Sequence, residues 1–180
     1  MTEEIGIIRQ VLNGDTDSFG LLVQRYQKPI VRMIRNITGD SQACEDIGQD
    51  VFFTAYKKLA SFDSARSKFS TWLFAIAKNK SLNALKRKRP ISLAEVPEKA
   101  DCHNPGDELA QKEVVAEFDK ALQDLPKRQR MAFVLAEFEE LPYEQIAQIE
   151  GVKIGTVKSR IHRARKKLAT AMKSRLGDIR

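Results

Sequence analysis

Apolar residues recur at intervals of three and four along most of the chain, and no window shows sustained alternation of apolar and polar residues. This spacing matches the period of an amphipathic helix rather than that of a strand. One stripe consists of Ile30, Met33, Ile34 and Ile37, and Gly39-Asp40 is expected to end that helix. The pattern predicts an all-α protein made of two small helical bundles.

Two more helices are predicted in the N-terminal half. Asp40 or Ser41 is expected to cap the first of them, which runs to about residue 60. A further helix is predicted from Phe69 to Arg89. Its apolar side is expected to lie in the core rather than to form a platform for stacked bases, and consists of Phe69, Trp72, Leu73 and Ile76.

A pair of helices with a tight turn is predicted near the C-terminus. Pro142 suits the first turn of one helix, and Gly151 suits its end, where a left-handed conformation costs glycine little. The inner face of the second helix has apolar residues spaced 3, 4, 3 and 4: Ile154, Val157, Ile161, Ala164 and Leu168. This arrangement is typical of a helix-turn-helix.

The segment between the two halves is predicted to be a linker. It contains Pro90, Pro97 and Pro105, several turn-forming residues and no helical stripe. We therefore expect an N-terminal domain at 1–90, a flexible linker at 91–111 and a C-terminal domain at 112–180. A second amphipathic segment, which supplies core to the C-terminal domain, contains Val114, Val115, Phe118, Ala121, Leu122 and Leu125.

Composition narrows the class of protein. Hydrophobic residues make up 42% of the 180 and charged residues 31%, which excludes a disordered chain. Two cysteines exclude a disulfide-rich scaffold. No apolar run is long enough for a membrane span, and the acidic start lacks the order of a signal peptide. We expect a soluble protein of the cytoplasm with no membrane insertion of its own.

The net charge of +7 is concentrated in two basic clusters that contain no acidic residue, at 78–89 and 153–175. The second cluster follows the tight turn, which favours DNA contact over a merely solvated basic face. Arg165 and Lys167 are expected at phosphates, and Arg128 and Arg130 at the DNA backbone. The candidate DNA-binding residues of the predicted recognition helix are Lys153, Thr156, Lys158, Ser159, Arg160, His162 and Arg163.

Four stretches of the chain resemble one known family. Residues 125–133 (Leu-Pro-Lys-Arg-Gln-Arg-Met-Ala-Phe) and 155–168 (Gly-Thr-Val-Lys-Ser-Arg-Ile-His-Arg-Ala-Arg-Lys-Lys-Leu) are similar to the fourth conserved region of extracytoplasmic-function (ECF) sigma factors of bacterial RNA polymerase. Residues 46–52 (Asp-Ile-Gly-Gln-Asp-Val-Phe) and 69–79 (Phe-Ser-Thr-Trp-Leu-Phe-Ala-Ile-Ala-Lys-Asn) resemble their second region. The resemblance implies two helical domains, promoter-specific transcription initiation without catalysis, and no cofactor.

The resemblance also implies where the partners bind. Core RNA polymerase is expected on a polar stripe of the helix after Asp40, formed by Asp46, Gln49, Asp50 and Phe53. The less favoured alternative is that Phe53 belongs to the core of the bundle and the acidic residues are only solvated. The minus-ten promoter element is expected on the following loop and helix, and the minus-thirty-five element on the recognition helix. The candidate minus-ten residues are Phe62, for which base stacking and core packing are balanced, and Lys78, Asn79, Asn83, Lys86 and Arg87.

The remaining expectations concern regulation and alternative functions. The family implies an anti-sigma factor that masks the protein, tethers it at the membrane in some cases, and releases it in a stress or envelope response. Metal binding is not expected, because Cys102-His103 is a poor chelate. Two alternatives stay open on the residues alone: a dimeric repressor or activator that binds duplex DNA unaided, and an adaptor that binds proteins through both bundles.

Overall fold

The computed structural model describes residues 2–87 and 107–177, and these residues form eight α-helices and two single turns of 3-10 helix. The N-terminal half contains α1 (Thr2–Leu12), α2 (Phe19–Thr38), α3 (Ala43–Lys57) and α4 (Phe69–Arg87). The C-terminal half contains α5 (Asp107–Gln123), α6 (Lys127–Glu137), α7 (Tyr143–Glu150) and α8 (Ile154–Gly177). The all-α prediction is confirmed for this part of the chain.

The turn between α2 and α3 forms as its residues predict. Gly39 takes a left-handed conformation (φ 68°), and its N–H donates to the carbonyl of Arg35 at 2.8 Å. Asp40 then caps α3, because its Oδ1 accepts from the N–H groups of Gln42 (3.0 Å) and Ala43 (2.9 Å). This short turn makes α2 and α3 antiparallel neighbours.

Helices α2 and α3 approach closely at Gly48. A Cβ at this position would lie 3.2 Å from Cγ2 of Val31, so glycine allows the contact without displacement of the valine. The predicted stripe of α2 is buried, as are Val51, Ala55 and Leu59 on the inner side of α3 and of the turn that follows it. On α4, Phe69 and Leu73 are buried, while Trp72 and Ile76 pack partly exposed against the core.

The helix-turn-helix is confirmed in the C-terminal half. Helix α7 begins after Pro142 and ends at Gly151, which has a φ of 67°. Val157, Ile161, Ala164 and Leu168 on α8 are buried. The expectation that Ile154 belongs to this inner face is wrong, because it is the first residue of α8 and remains 37% exposed.

The apolar face predicted for α5 is confirmed only in its second half. Ala121, Leu122 and the following Leu125 are buried, but Val114 and Val115 are exposed. The buried residues lie toward the end of α5, a helix that packs against α2 and α8.

The predicted linker lies mostly outside the described residues, as do Lys88, Arg89, Cys102 and His103. Its last residues are helical, since α5 begins at Asp107. The domain boundaries at 90 and 112 stay a prediction.

The two halves pack against each other, a point that the sequence left open. Helix α4 contacts α7, and α2 contacts both α5 and α6. Buried side chains from both halves form one hydrophobic core. The surfaces of the N-terminal half that face α6 and α7 are therefore covered.

Candidate nucleic-acid and protein interfaces

The predicted polymerase-binding residues form one exposed stripe on α3. Asp46, Gln49, Asp50 and Phe53 occupy positions i, i+3, i+4 and i+7, which share a face of a helix, and all four are exposed. Phe53 is 59% exposed, so it is not part of the core of the bundle. An exposed aromatic ring among carboxylates is typical of a protein-binding surface.

Two lysines contact this stripe from within the same half. Nζ of Lys57 lies 4.2 Å from the ring centroid of Phe53, and Nζ of Lys80 lies 3.4 Å from Oδ2 of Asp50. Exposed contacts of this kind contribute little to stability. A partner can therefore replace them at small cost.

The predicted minus-ten residues of α4 divide between two environments. Asn79, Asn83, Lys86 and Arg87 are exposed near the end of the helix. Lys78 instead donates from Nζ to the carbonyl of Ile149 on α7 at 2.7 Å. Burial of this ammonium group lowers the pKa of Lys78 below its ordinary value.

The loop between α3 and α4 borders a cleft of about 300 Å³. Phe62 packs on Phe69 (5.6 Å between ring centroids) and Trp72 (5.5 Å) and also lines the cleft, so core packing is confirmed and base stacking stays a prediction. Thr71 lines the cleft too, and within the described residues its buried Oγ1 has no hydrogen-bond partner. The cleft thus offers an aromatic wall and an unused hydroxyl, which suit an unstacked base.

Most of the predicted recognition residues lie on the open face of α8 or in the turn before it. Lys153, Lys158, Ser159, His162 and Arg163 are exposed, and Thr156 is partly buried. The spacing of Lys158, Ser159 and His162 places them on adjacent turns of one face. This face carries the donors that a helix needs for base edges and phosphates in a major groove.

Two arginines of α8 already have partners within the C-terminal half. Arg160 is ion-paired with Glu150 of α7, and both side chains are largely buried. Burial raises the pKa of the Glu150 carboxyl, although the Arg160 guanidinium opposes this shift. Arg165 donates to Glu137 of α6, with 2.6 Å between Nη2 and Oε1. Each ion pair uses only part of the five N–H donors of its guanidinium, so both arginines keep donors that do not face the carboxylate.

The interpretation of Arg130 as a residue that touches the DNA backbone is wrong for this structure. Its side chain is buried and donates to the carbonyls of Ile37 (2.6 Å) and Leu125 (3.3 Å) and to Gln123. Arg128, two residues earlier on the same helix, is exposed, and its contact with the DNA backbone stays a prediction.

The chain matches two family descriptions that together span most of its length. Residues 22–91 match "Sigma-70 region 2", and residues 116–168 match "Sigma-70, region 4". The RNA polymerase sigma-H factor of Pseudomonas aeruginosa is 35% identical, over 96% of this chain and 95% of the relative. SigW of Bacillus subtilis is 34% identical over 96% of both chains, and sigma-E of Escherichia coli is 34% identical over 92% and 91%.

This chain belongs to the ECF family of RNA polymerase sigma factors. Sigma factors are transcription initiation factors and not catalytic enzymes, and this one accordingly acts in promoter-specific initiation. The N-terminal half is its region 2 and the C-terminal half its region 4.

Two solved structures share the fold of this sigma factor. CnrH, solved in complex with the cytosolic domain of CnrY, superposes with a TM-score of 0.73 at 26% identity over 93% of this chain and 96% of the other. RpoE of Bartonella quintana, solved with the anti-sigma factor NepR, superposes with a TM-score of 0.69 at 26% identity over 86% and 96%.

The described residues of this sigma factor contain neither a metal-binding cluster nor a membrane-spanning helix. No cluster of three or more His, Cys, Asp or Glu side chains there is suited to hold a metal ion. None of the described helices is long and apolar enough to cross a membrane.

Sequence reasoning missed the residues that join the two halves of the sigma factor. Glu139 belongs to a local run of acidic residues, a pattern typical of a solvated surface, yet its side chain is 1% exposed and pairs with Arg32 of α2. Gln145 and Gln148 of α7 were assigned no role, yet they line the cleft beside the α3–α4 loop. No local pattern marks them, because their partners lie far away in the sequence.

Proposed function

We propose that this sigma factor binds core RNA polymerase through the α3 stripe, reads the minus-thirty-five element with α8, and captures the melted minus-ten element with α4 and the α3–α4 loop. The assignment corresponds to domains at 1–90 and 112–180 joined by a linker at 91–111. The observation that carries it is the separation of surfaces: the acidic and aromatic stripe of α3 and the basic open face of α8 lie on different halves.

The proposed melting step relies on differential binding. Unpairing and flipping a base costs a few kcal/mol, and this protein hydrolyses no nucleotide to supply that energy. The cleft beside Phe62 offers contacts to an unstacked base that a paired base cannot make. Exposed Asn79, Asn83 and Lys86 then provide hydrogen bonds and charge along the single strand.

An anti-sigma factor is the proposed inhibitor. The RpoE structure that this chain resembles was solved with the anti-sigma factor NepR. We infer a similar inhibitor here, which holds the sigma factor in the cytoplasm or tethers it at the membrane until a stress or envelope signal arrives. Its targets would be the exposed stripe of α3 and the open face of α8, since both must be free for initiation.

The test is transcription with purified components. Core RNA polymerase, genomic DNA and the sigma factor are combined, and the 5′ ends of the transcripts are mapped with and without the sigma factor. We expect a small set of start sites that require it and that share two upstream elements. Identical start sites without it would overturn the proposal, and tight dimeric binding to duplex DNA in the absence of polymerase would favour a stand-alone regulator instead.

Single substitutions on α3 and α8 then test whether polymerase binding and promoter recognition are lost independently. Asp50→Ala should weaken binding to core polymerase, whereas Lys158→Ala should reduce use of the mapped promoters with polymerase binding intact. Asp17→Ala serves as a control, because Asp17 is exposed in the turn before α2 and lies outside α3, the α3–α4 loop, α4 and α8. If Asp50→Ala and Lys158→Ala each lower both activities equally, the assignment of separate surfaces is wrong.

A further inference from the structure

Helix α1 brings a carboxylate to the cleft beside the α3–α4 loop. Glu4 lines this cleft together with Phe62, Phe69 and Thr71. Its side chain is 14% exposed. All four residues belong to the N-terminal half, so this part of the wall is built by one half alone. A carboxylate repels the phosphates of any strand, so in a cleft proposed for DNA it contributes to selectivity rather than to affinity.

Two residues of α2 fix the orientation of Glu4. Tyr26 donates its hydroxyl to Oε1 of Glu4, and Nη1 of Arg25 lies 3.4 Å from the same oxygen. Burial and the Glu4 carboxyl raise the pKa of Tyr26, so its hydroxyl remains a donor at neutral pH. Because a carboxylate has about four lone-pair sites and both contacts involve Oε1, Glu4 keeps acceptor capacity for a ligand in the cleft.

The second polar group of the cleft is the hydroxyl of Thr71. Thr71 is 3% exposed, and among the described residues its Oγ1 has no hydrogen-bond partner. A buried polar group without a partner is unfavourable, so a ligand that pairs with it gains affinity. Unlike a carboxylate, a hydroxyl donates as well as accepts. Glu4 and Thr71 therefore offer one fixed acceptor and one adaptable group.

The four bases differ in how they match these two groups. Cytosine and adenine carry an amino donor beside a ring nitrogen that accepts, and guanine carries an amino group beside a ring N–H. The Glu4 carboxylate accepts from an amino group, while the Thr71 hydroxyl donates to a neighbouring acceptor. Thymine has a single N–H donor between two carbonyl oxygens, whose lone pairs face an approaching carboxylate. The cleft thus suits the three bases that carry an amino group.

We propose that Glu4 is a specificity-determining residue of the minus-ten site, which selects a flipped base with an exocyclic amino group and rejects thymine. This inference rests on the proposed function, because it assumes that the cleft receives an unstacked base. Phe62 stacks on a base of any kind, whereas Glu4 and Thr71 distinguish between bases. Arg66 and Lys68 are exposed at the border of the cleft, where their charges attract the phosphates that Glu4 repels.

The test uses holoenzyme, assembled from core RNA polymerase and the sigma factor, on a promoter mapped with the wild type. Mismatches keep the minus-ten element of each template unpaired, so that the easier melting of A·T pairs does not influence the base preference. At each position and on either strand, the base is replaced by thymine or by an analogue that lacks its amino group. The analogues are uracil for cytosine, purine for adenine and hypoxanthine for guanine, and each keeps the size of the ring system.

The expected result is a penalty at one position of the element. With the wild type, thymine or the analogue should reduce open-complex formation there by about 10-fold, because the Glu4 carboxylate loses its donor. Glu4→Gln should remove most of this difference, since a carboxamide both donates and accepts and therefore tolerates a carbonyl oxygen.

Two variants are matched controls. Glu3→Gln removes the same charge from the adjacent residue, which pairs with Arg25 but does not line the cleft, so the penalty should persist. Tyr26→Phe removes the donor to Glu4 and keeps the carboxylate, so the penalty should persist here too. If Tyr26→Phe relaxed the preference as much as Glu4→Gln, Glu4 would act only by holding α1 on α2, and direct contact with the base would be overturned. Circular dichroism establishes that each variant is folded.

The remaining outcomes separate this inference from the proposed function. A wild type that initiates at specific promoters but tolerates thymine and the analogues at every position would overturn the inference and leave the function standing. A Glu4→Gln protein that keeps the full penalty would do the same. A wild type that starts no specific transcripts would overturn the proposed function, and the selection of a base by Glu4 would fail with it.

Discussion

At the scale of single residues, glycines mark the places where the chain turns most sharply. Gly39 and Gly151 end α2 and α7 with nearly the same φ, 68° and 67°. Their surroundings differ, because a Cβ on Gly39 would lie 2.8 Å from the side chain of Gln123, whereas nothing lies within 4 Å of a Cβ on Gly151. One of the two glycines therefore also adapts the chain to the docking of region 4.

This pair of glycines provides a matched prediction. Gly39→Ala and Gly151→Ala should each lose about 1–2 kcal/mol of stability, because a left-handed conformation is unfavourable for alanine. Gly39→Ala should also displace Gln123 and increase the radius of gyration, and Gly151→Ala should not. Chemical denaturation and small-angle scattering of both variants measure the difference. Equal expansion in the two variants would show that the contact with Gln123 does not matter.

At the scale of single residues, the sequence predicts a role correctly when the residue acts on backbone groups close to it in the chain. Gly39, Asp40 and Gly151 act on backbone groups within about four residues, so their roles follow from residue type and position. Sequence reasoning failed at Arg130, whose sequence neighbours are basic and suggested DNA contact. Its acceptor is the carbonyl of Ile37, 93 residues away, and nothing near Arg130 in the sequence indicates that partner.

At the scale of helices, α3 separates structural and binding residues by face. Phe52 is 8% exposed and belongs to the core, whereas its neighbour Phe53 is 59% exposed. Adjacent residues of a helix point about 100° apart, so two identical side chains serve different purposes. The helical period predicted this face, but the choice between core and surface for Phe53 required the position of α2.

The two phenylalanines allow a test of the proposed polymerase surface. Phe53→Ala should lower affinity for core polymerase and leave stability within about 0.5 kcal/mol of the wild type, since its ring contacts little core. Phe52→Ala should cost about 3–5 kcal/mol of stability through the cavity it leaves. Chemical denaturation and a polymerase binding assay on both variants give the comparison. A Phe53→Ala protein that binds polymerase as the wild type does would remove Phe53 from the interface.

Helix α8 carries buried core residues on one face and candidate DNA-binding residues on the opposite face. Its buried stripe was predicted from spacing, and the open face of Lys158, Ser159 and His162 follows from it by elimination. The pairing of Arg160 with Glu150 did not follow from that pattern, because it depends on how α7 crosses α8. Arg160 is thus placed to fix the geometry of the helix-turn-helix, and its contact with DNA stays a prediction.

At the scale of the whole molecule, the relative placement of the halves was beyond the reach of sequence reasoning. Lys78 was assigned to DNA from its place in a basic cluster, and that assignment stays a prediction. The structure places it against Ile149, which is 71 residues away. A contact between two separately folded surfaces depends on their shapes, and hydrophobic periodicity carries no information about it.

The pH dependence of stability offers a last prediction, centred on Glu150. This carboxyl is buried where three elements meet, with Lys78 of α4, Arg160 of α8 and Arg128 of α6 as its charged neighbours. Burial raises the pKa of Glu150 above 4.5 despite these cations. The folded protein therefore binds a proton here more tightly than the unfolded chain does, and the stability gained from that proton is lost as the pH rises through the raised pKa.

We expect the free energy of unfolding of the wild type to fall relative to that of Glu150→Gln as the pH increases from 4 toward 7. Glutamine cannot titrate, so the difference in free energy of unfolding between the two proteins isolates Glu150 from every other carboxyl. Urea denaturation at several pH values in this range measures the difference. A difference that is constant, or that grows in favour of the wild type with increasing pH, would mean that the Arg160 guanidinium outweighs burial. Glu150 would then stabilise the junction of α4, α7 and α8 as a charged group.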